Sequence, residues 1–213
     1  MITSAKFWDK IAAKYAKSSI KDVESYQYTL GRTRSYLGAQ DKVLEIGAGT
    51  GSTALELASS AGHVTITDVS PEMVRIGKEK AREQGVTNVE FHVADAQVQD
   101  LTGPYDAVLA HNVLHLVEDL PATLARVHEI LEPGGVFISK TFCKPTGRGP
   151  WLYYALVPLL PILQLIGKAP FVSFMTIGEL ESAITAHGFK IIESGSFPAT
   201  ELRRYIVARH VPD

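Results

Sequence analysis

Three glycines at alternate positions, Gly47, Gly49 and Gly51, separated by Ala48 and Thr50, form the stretch of this chain best suited to holding a ligand. Glycine has no Cβ, so a turn built from it lets backbone approach a ligand closely. An apolar run, Val43-Leu44-Glu45-Ile46, precedes the turn, and an amphipathic stretch from Ser52 to Ser60 follows it. That order predicts a buried strand, a bare turn and a helix whose free N–H groups and positive dipole end face the same spot, which suits a nucleotide-type cofactor. Asp68 stands about 20 residues on, at the end of a second apolar run, where one carboxylate can accept from both vicinal hydroxyls of a ribose. His111 and His115, four residues apart, bring imidazole chemistry. His115 is the candidate general base if its stretch is helical, because imidazole titrates close to neutral pH. The alternative reading is a histidine packed along the pocket wall. The pair has no third ligand at metal spacing, so no metal site is expected.

The elements that must position these residues alternate regularly. Strand Lys42–Ile46 leads to helix Ser52–Ser60, and strand His63–Asp68 leads to helix Pro71–Gln84, with Ser70 as N-cap and proline at the first helical position. Strand Val89–Val93 ends near Asp95, and strand Tyr105–Ala110 ends at His111. A helix near Pro121–Leu131, a Glu-Pro-Gly-Gly turn and strand Val136–Thr141 complete the run. Strands alternating with helices predict a doubly wound, mostly parallel sheet with helices on both faces. Beyond it, Thr176 caps a helix over Ile177–His187 that stops at Gly188, and strands Lys190–Ser194 and Arg203–Arg209 are close enough to pair as an antiparallel hairpin. Before it, residues 4–18 show helical period, with Phe7, Trp8, Ile11, Ala12 and Tyr15 on one face and Lys6, Lys10, Lys14 and Lys17 on another. A second helix is expected from Asp22 to Leu37, stopped by Gly38. The chain divides into a helical cap (1–40), a core (41–141), an apolar lid (145–175) and a closing helix with two strands (176–213), all one domain.

Composition narrows the function. With 213 residues, 46% hydrophobic and 21% charged, the chain has the make-up of an ordinary globular protein. A net charge of −2 gives no basic field for nucleic acid. One cysteine, Cys143, cannot form an internal disulfide, and the charged start MITSAKFWDK lacks a signal-peptide core, so a cytoplasmic location is expected. Gly149 to Gly167 carries no charge, yet Pro158, Pro161 and Gln164 interrupt it, which favours a lid over a membrane span. Weak peripheral contact of the lid and the lysine face with a membrane surface stays open. Nothing in the sequence sets an oligomeric state.

Gly47 and Gly49 alone also fit a dinucleotide fingerprint, but its third glycine falls on Ser52. The later stations decide. VLEIGAGTG (43–51), ITDVSPEMV (66–74), FHVADAQ (91–97), YDAVLAHNVLHLVED (105–119) and LEPGGVFI (131–138) together resemble the class I S-adenosylmethionine-dependent methyltransferases, of the small-molecule branch similar to the ubiquinone/menaquinone enzymes. The resemblance implies methyl transfer by in-line displacement from S-adenosyl-L-methionine, leaving S-adenosyl-L-homocysteine. It implies that Gly47, Ala48 and Gly49 approach the methionine part and that Glu45 attracts its ammonium. Asp68 would take the ribose hydroxyls, Val69 would pack on adenine, and Asp95 with Ala96 would meet the adenine edge. His111 would offer its carbonyl to the ammonium, and Tyr15 would close over the methionine end. The apolar, aromatic lid suits a hydrophobic or aromatic acceptor. The alternative is a non-catalytic binder or regulator on the same fold. Calorimetry should detect binding of S-adenosylmethionine and S-adenosylhomocysteine but not NAD; tight NAD binding alone would contradict the cofactor reading.

Overall fold

The computed structural model describes residues 4–145, 157–198 and 203–212. Seven strands form one sheet: β1 (Lys42–Glu45), β2 (His63–Asp68), β3 (Val89–Val93), β4 (Tyr105–His111), β5 (Leu131–Phe142), β6 (Phe189–Ser196) and β7 (Arg203–His210). Their order is β3-β2-β1-β4-β5-β7-β6. The first five are parallel, and β7 alone runs against its neighbours β5 and β6, so the expected hairpin closes one edge. The chain winds outward from β1 through β2 to β3, then returns to place β4 on β1's other side. A crevice opens where the winding reverses, beyond the carboxyl ends of β1 and β4.

Strand alternation divides the core into two layers. Leu44 of β1 and Ile46 just past its end, Val108 and Ala110 of β4, and Phe137 of β5 face one side, under α5 (Leu120–Ile130) and α7 (Ile177–Ala186). Val43, Val64, Ile66, Leu109, Ile138 and Val207 face the other, under α2 (Val23–Arg34), α3 (Ser52–Leu57) and α4 (Pro71–Gln84). The same period continues to the carboxyl end of this second face. Two residues past Val43, Leu109 and Ile138 stand Glu45, His111 and Lys140, and on the opposed strand Tyr205 precedes Val207. A row of polar side chains therefore caps an apolar layer at the edge of the crevice.

Most helix ends follow their sequence signals. Ser70 accepts from Met73 N and starts α4; Thr176 and Glu179 form a reciprocal capping box that starts α7. Several boundaries differ, three of them with a visible local cause. α2 stops at Arg34, because Tyr36 N and Leu37 N bond carbonyls only three residues back, and Gly38 N instead meets the Asp41 carboxylate. β5 begins at Leu131, which pairs with Tyr105 ahead of a register shift. The last turn of the helix after Ser52 is 3-10 over Ala58–Ser60. Of the expected lid, α6 (Leu160–Leu165) and the turn Val157–Leu159 before it are described; Trp151, Tyr153 and Tyr154 lie outside the described residues. Among the described residues no helix is long and apolar enough to cross a membrane.

One aromatic ring couples the glycine turn to the neighbouring helix. A Cβ at Gly77 of α4 would stand 2.4 Å from Phe91 Cε1, and one at Gly51 would stand 2.9 Å from the same atom. Phe91 thus fills the space that two glycines leave. Gly77→Ala improves helix propensity by about 1 kcal/mol, but overpacking a filled site costs about 1–3 kcal/mol. The variant should unfold at lower urea than wild type; a higher midpoint would show that Phe91 moves freely.

Candidate cofactor site

The glycine turn is held open from two directions. Ala48 N bonds Thr67 O (2.8 Å) and Gly49 N bonds Asp68 Oδ2 (2.8 Å), which ties the turn to the end of β2. Gly47 has φ +60, and a Cβ there would fall 2.2 Å from Val113 Cγ2. Backbone conformation and space each exclude a side chain at that position. Above Gly49 lies the Tyr15 ring, its Cε1 3.3 Å from where a Cβ would sit.

Beyond the turn is a cavity of about 400 Å³, within the size range of small-ligand pockets. Tyr15, Glu45, Gly47, Ala48, Gly49, Asp68, Val69, Asp95, Ala96 and His111 all line it. They come from α1 (Ser4–Ala16) and from the carboxyl ends of β1, β2, β3 and β4, so the topology gathers residues that are up to 96 positions apart in the chain. Asp68 is buried, and desolvation raises its pKa, opposed by hydrogen bonds from Ser70 N and Gly49 N and reinforced by the charge of Asp9. Each of its oxygens accepts one backbone N–H, which leaves lone pairs for a further donor. Asp95 closes a turn through Oδ1 to Gln97 N (2.9 Å) while also bordering the cavity. Tyr15 lines the cavity and is 48% exposed as a residue. Its hydroxyl is nonetheless enclosed enough that burial, then the charges of Asp68 and Glu45, raises its pKa.

Glu45 is the most unusual member. It is 1% exposed, its Oε1 lies 2.9 Å from His111 Nδ1, and its Oε2 is buried without any hydrogen-bond partner. His111 is turned inward at both nitrogens, with Nε2 3.5 Å from Thr33 Oγ1, which in turn lies 3.2 Å from the Tyr205 hydroxyl. The imidazole of His111 therefore belongs to the polar row beneath the cavity and positions Glu45.

His115 is not brought together with the others. It sits in a 3-10 turn, Leu114–Leu116, where the sequence reading needed a helix to aim it at the cavity. The cavity lining does not include it. Its ring lies beside Phe142, its Nδ1 is buried without a partner, and its carbonyl accepts from Ser173 N (2.7 Å). Burial, helped by the charge of Arg203, lowers its pKa to about 4.

Several lining residues were assigned no role by the sequence. Val113 supplies the wall that excludes a side chain at Gly47, and Asn112 turns the chain there with φ +57. Asp119 lines the cavity while capping α5 through Ala122 N, a role its position before Leu120-Pro121 could have suggested. Trp8 reaches the cavity because α1 is pinned to α4. The pin is Asp9, whose Oδ1 accepts from Ser70 Oγ (2.5 Å) and Glu72 N (3.1 Å) at the positive end of the α4 dipole.

Residues 43–135 match the family model described as a methyltransferase domain. The chain is 25% identical to the demethylmenaquinone methyltransferase of Leptospira interrogans over 77% of this chain and 70% of that one. It is 33% identical to the tRNA 5-carboxymethoxyuridine methyltransferase of Escherichia coli, over 61% of this chain and 53% of that one. The chain thus spans about half the length of the tRNA enzyme, and it spans 6% of a long fungal polyketide synthase that it also matches. Among solved structures, that of the DhpI–SAH complex superposes with a TM-score of 0.74 at 24% identity, covering 99% of this chain and 96% of that one; this likeness concerns the fold. Motif order, strand order and these matches support a class I S-adenosylmethionine-dependent methyltransferase.

The pin that seats α1 is open to a direct check. Asp9→Ala removes a charged acceptor from two donors, each bond contributing about 1.5–3 kcal/mol. Limited proteolysis should cut within residues 4–16 faster in the variant, with the melting temperature of the core little changed. Equal cutting rates would mean that α1 is held by its apolar face alone.

Proposed function

We propose that the chain binds S-adenosylmethionine in this cavity and methylates a small, hydrophobic acceptor. The observation that carries the reading is Glu45 Oε2, a buried carboxylate oxygen without a partner beside a side-chain-free turn. Such an oxygen calls for a cationic donor, and the ammonium of the methionine part is one. The surrounding residues fit the rest of the molecule. Asp68 has lone pairs to spare for ribose hydroxyls, Val69 offers an apolar surface for adenine, and Asp95 with Ala96 borders the space for its amino edge. His111 holds Glu45 in place and offers its carbonyl, and Tyr15 closes the methionine end.

Bound there, S-adenosylmethionine supplies a methyl group on a positively charged sulfur as the electrophile. The protein's part is to orient and to exclude water. Trp8, Val113, Leu116 and Val117 wall the cavity with apolar surface. Alignment of this kind contributes roughly 7–11 kcal/mol in well-oriented reactions. His115 acts as packing behind the wall in this proposal, and no imidazole base is assigned. A groove of about 130 Å³ shares Ser4 and Glu118 with the cavity and is otherwise lined by Phe7, Gln164, Gly167, Ala169, Pro170 and Phe171. Its small size and apolar walls support a small hydrophobic acceptor, and the net charge of −2 argues against an RNA.

Asp68→Ala should weaken binding of S-adenosylhomocysteine at least tenfold, since two hydroxyl-to-carboxylate bonds of about 1.5–3 kcal/mol each are lost. Circular dichroism should report an intact fold. Incubation with methyl-labelled cofactor and a cell extract should place label in an organic-soluble small molecule. Normal affinity in a folded Asp68→Ala protein would overturn the site assignment, and label confined to RNA would overturn the acceptor class.

A further inference from the structure

We propose that α6 and the lysine row of α1 form one docking face for a lipid bilayer bearing anionic headgroups. No residue of α6 is buried. Leu159, Ile162, Leu165 and Ile166 are 49%, 59%, 70% and 53% exposed, and their spacing sets them on one side of the helix. An amphipathic helix ordinarily turns such a face to the core, and a contiguous apolar face turned outward marks an interaction surface.

The charge beside it indicates which partner fits. Lys10 and Lys14 of α1 and Lys17 just past its end are spaced by four and three residues, so they form one row that borders the apolar face at Phe7, and all three are exposed. Ser4 and Phe7 line the small groove together with Gln164, Gly167 and Ala169, which puts the N-terminal end of α1, where the lysine row begins, next to α6. Lys168, also exposed, closes the far end, its N–H bonding Leu163 O (2.7 Å). Among the described residues no carboxylate pairs with these four lysines. The acid of α1, Asp9, is directed away to the start of α4. Outward apolar side chains bordered by unpaired lysines match an interfacial helix seated at the headgroup level, with the cations reaching phosphates within a Debye length of about 8 Å. A second copy fits less well, since a two-fold contact through this face would bring lysine rows together.

Flotation of the full chain with phosphatidylcholine vesicles, with and without phosphatidylglycerol, tests the proposal. Wild type should float with the anionic vesicles and be released by high salt, and should bind neutral vesicles weakly. Ile162→Asp with Leu165→Asp should reduce the bound fraction by about tenfold or more, with cofactor affinity retained as the check on folding. Lys10→Glu with Lys14→Glu should lower binding to anionic vesicles and leave the neutral baseline unchanged. Equal partition onto neutral and anionic vesicles, normal flotation of either double variant, or no flotation of wild type would overturn it. So would a concentration-dependent dimer in sedimentation that Leu165→Asp abolishes, because the face would then belong to a second copy.

Discussion

Burying a carboxylate at the end of β1 costs desolvation that an apolar residue at position 45 would avoid. One oxygen of Glu45 recovers part of that cost from His111, and the other recovers none within the described protein. An unpaired buried polar atom is worth about 1–3 kcal/mol of destabilisation. A ligand bearing a cation beside that oxygen would offset the cost on binding, and binding would then stabilise the fold by linkage. Much of the surrounding structure serves to keep Glu45 in that state.

The support is built from alternation in the sheet. His111, Lys140 and Tyr205 occupy the strand positions that continue the apolar layer into the crevice, and α2 lays Thr29 and Thr33 over them. Lys140 Nζ donates to Thr29 Oγ1 at 3.2 Å, and Thr33 Oγ1 meets both Tyr205 and His111. α2 is itself anchored by Arg32, which forms a bidentate pair with Glu193 on β6, and by Tyr36, which donates to the same carboxylate. The edge hairpin therefore reaches the site through α2. A helix that sequence motifs treat as an addition to the core is part of what orients the Glu45–His111 pair.

Much of this was legible before any coordinates. Strands such as His63–Asp68 and Val89–Val93 announce themselves by apolar runs bounded by turns, and helix Pro71–Gln84 by a serine cap and proline. That Gly47, Gly49, Asp68 and Asp95 border one cavity was readable because a strand end has a fixed place in a parallel sheet. Contacts between distant segments were not readable. Nothing in the sequence says that Val113 fills the space above Gly47, or that Asp9 reaches Ser70 across 61 residues. His115 was a candidate on the condition of a helix after His111; His111 ends β4 and His115 stands in a separate 3-10 turn, so the spacing of four does not set its direction.

In the proposed function, Glu45 Oε2 receives the ammonium of the cofactor. Calorimetry on wild type and Glu45→Gln, each with S-adenosylhomocysteine and with 5′-methylthioadenosine, isolates that contact, because the second nucleoside lacks the ammonium. Glu45→Gln is expected to weaken S-adenosylhomocysteine by about tenfold or more, on the order of a charge-assisted hydrogen bond, and to leave methylthioadenosine unchanged. Equal losses for both ligands, or no loss for either, would contradict it.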